Sequence, residues 1–202
     1  MKRNRMEIIT RLARRQAVIR PRDLDKYEIP RTYLRRLTDR GVLKRVGRGL
    51  YMLADTDVSQ HHSLAEACKR IPKGVVCLLS ALQFHELTTQ SPHEIWLAVN
   101  RDECNWVPRV NYPPVRILKF SATSAREGIE KHKVQGVPVR VYNPAKTVAD
   151  CFKYRNKIGL DVALEALRDS WKQKKASMDE FWKYAQICRV SNVMRPYLES
   201  LV

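Results

Sequence analysis

Arg31, Thr32, Arg35 and Arg36 fall on one side of a short helical stretch, together with Asp39. On a wheel of about 100° per residue, Leu34 and Leu37 lie opposite them, with Pro30 and Tyr33 nearby. A helix divided in this way can bury one face and offer guanidinium and hydroxyl donors on the other. Guanidinium forks pair with guanine edges or clamp phosphates, so the chemistry on offer is hydrogen bonding to DNA. Immediately downstream, Lys44 and Arg45 lead into Gly47-Arg48-Gly49, with Arg48 at the tip of a tight turn. An arginine so placed is suited to enter a minor groove or to lie along a phosphate strand. On an isolated helix a solvated arginine face is the simpler account. The hairpin that follows favours DNA.

A second polar constellation stands in Asn143-Pro144-Ala145-Lys146-Thr147-Val148-Ala149-Asp150. Lys146 and Asp150 are spaced i, i+4 and Thr147 shares their turn. Two accounts are open: a polar patch for a partner or a phosphate, or a helix-start salt bridge beside a locally bonded threonine.

No catalytic constellation accompanies these residues. The chain contains no P-loop, no G-x-S-x-G, no H-E-x-x-H and no G-x-G-x-x-G. His61-His62 reads as a helix-start surface pair, and His85-Glu86 as structural residues after an apolar helix. The neighbouring side chains of Asp102 and Glu103 point apart. No metal, no cofactor and no enzymatic activity are expected. The five cysteines, Cys68, Cys77, Cys104, Cys151 and Cys188, are odd in number and lack a C-x-x-C. They read as reduced thiols, with Cys77, Cys151 and Cys188 packing as small hydrophobes.

The elements that must position the basic residues follow from periodicity and punctuation. Met6, Ile9, Leu12 and Ala13 predict an amphipathic helix over about 4–16. Val18-Ile19 is a short extended piece, and Pro21 opens a second helix with acids in its first turn. Glu28-Ile29-Pro30 makes the turn into a third helix, from about Pro30 to Arg40, which Gly41 stops. Residues 42–46 and 50–53 read as two strands of a hairpin. Together these form a winged helix-turn-helix over 1–54.

A polar linker at 55–61 then leads to a C-terminal domain over 62–202. There the sequence predicts a helix over 62–71, a strand over 75–79, and a helix over 81–87 capped by Ser80. Strands follow at 94–99 and 115–120, then a hairpin of 129–134 with 137–142 across Gln135-Gly136. Helices close the chain, over about 144–155, 160–174, 178–190 and 192–201. Strands followed by helices make this second domain mixed, and the whole chain α+β.

Charge supports the same division. Residues 1–51 hold sixteen Lys or Arg against five Asp or Glu, a net +11 of the chain's +17. Such a polarised basic module points to nucleic acid. No apolar run approaches the roughly 18–20 residues that span a bilayer, and the N-terminus lacks the apolar core of a signal peptide. The expected location is therefore the cytoplasm, with no membrane partner.

Three segments resemble the AbiEi-type antitoxin family of abortive-infection toxin–antitoxin systems. Arg45-Val46-Gly47-Arg48-Gly49-Leu50-Tyr51 is similar to its wing signature, and Leu79–Thr88 to the segment after the wing. Val139–Cys151 is similar to its helix-opening K/R-T-x-x-D stretch. The resemblance implies a winged-helix domain that represses its own promoter through repeats in double-stranded DNA, with self-association there, and a C-terminal domain needed for antitoxicity. It also implies a nucleotidyltransferase toxin as the neighbouring gene product. In much of the family neutralisation proceeds without a stable complex with that toxin.

On these grounds Arg31, Thr32, Arg35, Arg36, Lys44, Arg45 and Arg48 are the expected DNA-binding residues. Lys146, Thr147 and Asp150 are the expected antitoxin surface, beside the basic Lys153-Tyr154-Arg155 stretch. Two rival accounts are an orphan winged-helix regulator without a toxin, and a nucleic-acid-processing enzyme. A carboxylate cluster for a divalent metal would favour the enzyme, and the sequence displays none.

Overall fold

The computed structural model describes residues 5–16, 18–47, 49–55, 60–103 and 113–201, with the side chains of 60–62 excepted. Two compact units emerge. One comprises Met1–Arg70 with Lys133–Val139, the other Ile71–His132 with Arg140–Val202.

In the first unit, α1 (Arg5–Arg15) buries Ile9, Leu12 and Ala13, as the i, i+3, i+4 spacing requires. The segment opened by Pro21 is a 3₁₀ helix, Pro21–Tyr27, rather than an α-helix. The Asp23 carboxylate accepts the Arg20 N–H at 2.8 Å, and Glu28 leaves the helix in the left-handed region. α2 (Thr32–Asp39) follows and buries Leu34 and Leu37. It stops before Gly41, whose φ of +71° is readily adopted only without a Cβ. β1 (Leu43–Gly47) and β2 (Leu50–Leu53) pair antiparallel, with a bulge between Arg45 and Gly47. Ile19 bridges to Tyr51 and adds a short third edge.

α3 (Gln60–Arg70) completes this unit. The sequence places it after a linker, yet its last turn is tied to the preceding elements. Lys69 pairs with Asp23 of the 3₁₀ helix at 2.5 Å, and Arg70 donates to the Val46 carbonyl of β1 at 3.3 Å. Four residues of the expected linker, 56–59, lie outside the described residues.

A five-stranded sheet in the order β5-β4-β3-β7-β6 underlies the second unit, with the turn end of β6 and β7, Lys133–Val139, counted in the first. Its strands are β3 (Val75–Val76), β4 (Ile95–Asn100), β5 (Val115–Phe120), β6 (Ile129–Val134) and β7 (Val137–Tyr142). β4 and β5 run parallel, β3 and β7 run parallel, and β3 is antiparallel to β4. The β6–β7 hairpin turns on Gln135-Gly136, both at positive φ, as expected for a two-residue turn.

Two expectations fail between β3 and β4. The run 75–79 is a strand for two residues only. Leu78 then takes φ +46° and α4 (Leu78–Phe84) begins. Ser80 is not its cap but lies inside it, accepting the Trp96 N–H of β4 at 3.0 Å. A short helix, α5 (Ala122–Arg126), adds an element that the periodicity does not announce.

The C-terminal helices are α6 (Pro144–Lys153), α7 (Arg155–Ile158), α8 (Leu160–Lys172), α9 (Met178–Cys188) and α10 (Ser191–Glu199). α6 stops at Tyr154, two residues short of expectation. It is central, packed against α9, α8 and α4. All eight residues from Ala145 to Phe152 are buried. The fold is mixed α+β, with helices first, then strands, then helices.

Candidate nucleic-acid interface

α2 divides as its sequence requires. Leu34 and Leu37 enter a core with Ile9, Leu12, Leu24, Ile29 and Leu43. Arg31, Thr32, Arg35 and Arg36 are exposed on the opposite side. Arg31 meets Asp25, and Arg35 meets Asp39, each at 4.0 Å with both side chains well exposed. At that distance and exposure such pairs hold their partners weakly, so both guanidinium groups can turn to another acceptor. Arg36 lies over the Tyr33 ring at 5.3 Å and Arg5 over the same ring at 5.8 Å. The ring thus ties a cation of α1 to one of α2.

On the hairpin, exposed Arg45 donates from Nε to the Gly47 carbonyl at 3.1 Å. Lys44 is half-buried and donates to the Ala54 carbonyl at 3.3 Å. Arg48 lies outside the described residues. α1 adds exposed Arg11, Arg14 and Arg15. The periodicity of α1 points to its apolar face and leaves these three unmarked. Their signal is a basic outer face on the same helix.

Two further cations of the unit, Lys69 and Arg70, point inward. Lys69 reaches Asp23, the Gln16 amide oxygen at 3.1 Å and the Val18 carbonyl. Burial pulls its pKa below the usual lysine value, against the Asp23 carboxylate. Arg70 places Nη2 2.6 Å from Oε1 of Glu66, which is fully buried. Burial pushes the Glu66 pKa up, against Arg70. The available sign was the Glu66/Arg70 spacing of i, i+4.

In the second unit the expected antitoxin surface is corrected. Lys146, Thr147 and Asp150 are fully buried. Lys146 Nζ lies 2.5 Å from Asp150 Oδ2 and over the rings of Tyr142 and Phe120, at 4.3 and 5.0 Å. Cys188 Sγ donates to Asp150 Oδ1 at 3.2 Å, and Thr147 donates to the Tyr142 carbonyl at 3.1 Å. Burial raises the Asp150 pKa, opposed by Lys146. The pair is therefore not an exposed patch but the i, i+4 salt bridge, with Thr147 bonded locally, and it lies in the core rather than at the surface. α6 is enclosed from Ala145 to Phe152, and the two charges within that stretch satisfy each other inside the core.

Cys68, Cys77, Cys151 and Cys188 are free and buried, and Cys104 lies outside the described residues. Burial pushes the Cys68 thiol up to about 12, which removes it as a nucleophile. Among the described residues no group of three or more His, Cys, Asp or Glu is placed to hold a metal ion. No helix there is long and apolar enough to cross a membrane. A cleft of about 250 Å³ in the second unit is lined by Lys73, Asn100, Glu103, Arg126 and Arg140. Its Arg126 is already paired with Glu103 at 2.5 Å.

Comparison with known proteins adds one match. Residues 7–54 fit the model of a family described as transcriptional regulator, AbiEi antitoxin. The matched stretch is about a quarter of the chain, and it contains α1, the 3₁₀ helix, α2 and the hairpin. No curated protein matches the chain.

Proposed function

We propose that this protein is a sequence-specific DNA-binding repressor of its own promoter and the antitoxin of a toxin–antitoxin pair. Residues 5–54 act as a winged helix-turn-helix, with α2 as the recognition helix and the β1–β2 hairpin as the wing. Arg31, Thr32, Arg35 and Arg36 contact base edges and nearby phosphates. Lys44, Arg45 and Arg48 follow the backbone or the minor groove beside them. The observation that carries this reading is the exposed arginine face of α2 beside a basic hairpin, within the stretch that fits the regulator family.

The partner on DNA is a repeat in the promoter, where two or more copies of the chain assemble. The second unit serves antitoxicity toward a nucleotidyltransferase toxin encoded next to this gene, through residues other than the buried Lys146, Thr147 and Asp150. An orphan regulator without a toxin is the rival, since the family match ends at residue 54.

A reporter fused to the upstream region tests repression, and expression of the neighbouring gene with and without this one tests antitoxicity. The expected results are reporter silencing and growth rescue. Silencing without any toxicity to rescue establishes the orphan regulator. A reporter indifferent to the protein contradicts the proposal.

A further inference from the structure

Arg70 occupies the space that a side chain at position 47 would fill. A Cβ built on Gly47 overlaps the Arg70 guanidinium, with Cζ only 2.7 Å away. Gly47 is not in the left-handed region, so its lack of a side chain answers a steric need and not a backbone one. The guanidinium that fills the gap is pinned from two sides. Nε and Nη2 both donate to Glu66 Oε1, at 3.2 and 2.6 Å, and Nη2 also donates to the Val46 carbonyl at 3.3 Å. Glu66 is fully buried, and Arg70 is 15% exposed. One turn of α3 therefore presses a charged, hydrogen-bonded wedge against the bulged end of β1.

We propose, on the footing of the DNA-binding reading above, that Glu66 and Arg70 are positioning residues for the wing, and that the DNA-reading unit extends to Arg70. Neither residue touches DNA. The wedge fixes where the hairpin delivers Arg45 relative to α2. Two-stranded hairpins are marginal alone in water, so an external brace decides their aim. A buried ion pair serves such a brace because its geometry is directional, whereas apolar contacts slide.

Full-length variants test this in two assays. Hydrogen exchange of the hairpin amides, without DNA, reads the brace directly. Glu66→Gln/Arg70→Leu removes both charges together, so no buried charge is stranded. It should speed exchange over residues 43–53 by about tenfold while α6 amides stay as in wild type. Gly47→Ala should do the same alone, by displacing the guanidinium, and should add nothing in the Glu66→Gln/Arg70→Leu background. Unchanged hairpin exchange, or additive effects of the two changes, overturns the brace.

The second assay is anisotropy on a promoter duplex. Arg45→Ala should weaken wild-type binding by about five- to tenfold and cost less than twofold once the brace is gone, since coupled sites are non-additive. Equal costs in both backgrounds overturn the positioning role. A wild-type protein that binds no DNA would instead refute the underlying reading, and the exchange result would still decide the brace.

Discussion

Lys146 and Asp150 lie enclosed in the core, 2.5 Å apart. Lys146→Ala should therefore strand a buried carboxylate and cost about 3–5 kcal/mol, whereas replacing both partners by apolar residues should recover much of the loss. Thermal melting of the single and double variants checks this. A single variant that melts like wild type would contradict the buried pair. The i, i+4 spacing is the same for an exposed and a buried bridge, and so could not separate them. The neighbours could have: Ala145, Val148, Ala149, Cys151 and Phe152 leave α6 with hardly a polar side, the mark of an enclosed helix. His85 carries a second residue-scale expectation. It half-hides beside Glu130, His132 and Lys175, with Nε2 2.7 Å from the Tyr142 carbonyl, and burial lowers its pKa from 6.5. Its neutral form is favoured in the fold. It therefore takes nothing from stability above about pH 6.5, while below that the unfolded chain gains protons that the native chain does not. The wild type should lose stability between pH 6.5 and the lowered value, and His85→Gln should lose less. Parallel pH profiles of the two would contradict this.

At the scale of elements, periodicity and turn chemistry located most boundaries. The β6–β7 hairpin is at the expected residues because Gln135-Gly136 supplies the two positive φ angles its turn needs. α2 follows from its two leucines and Gly41. The run at 75–79 misled because an apolar stretch of that length fits a buried strand or a buried helix equally well; here it is partly each. α6 also shows how a local cap anchors a central helix. Asn143 accepts the Lys146 N–H at 2.8 Å and donates from Nδ2 to the Tyr184 hydroxyl at 2.9 Å. Asn143→Ala should cost about 0.5–2 kcal/mol through the lost cap, with the Tyr184 contact adding to it. Chemical denaturation measures this, and an unchanged midpoint would mean that the cap is dispensable. The role of α3 was not legible in the sequence, because a polar stretch before it reads as a boundary. Only the placement of Lys69 and Arg70 shows that the unit continues.

At the scale of the molecule, charge and family agree on the same quarter of the chain. Residues 1–51 carry +11, and residues 7–54 fit the regulator family. Exposed Arg5, Arg11, Arg14, Arg15, Arg31, Arg35, Arg36 and Arg45 carry a large part of that charge, whereas Lys69 and Arg70, which follow that stretch, point into the unit. If the exposed set neutralises roughly five to eight phosphates, log K should fall against log salt with a slope of about −4 to −7. Base readout adds a separate signature. Arg35→Ala should cost about 1–3 kcal/mol on the promoter and less on random DNA, while Arg48→Ala should weaken both alike. The most direct measurement is a titration of the full-length protein against its promoter duplex and a random duplex, across a salt series, for wild type and Arg35→Ala. The account predicts the steep slope for both duplexes and a promoter preference that Arg35→Ala erodes. A flat salt response, or equal losses on promoter and random DNA, would contradict it.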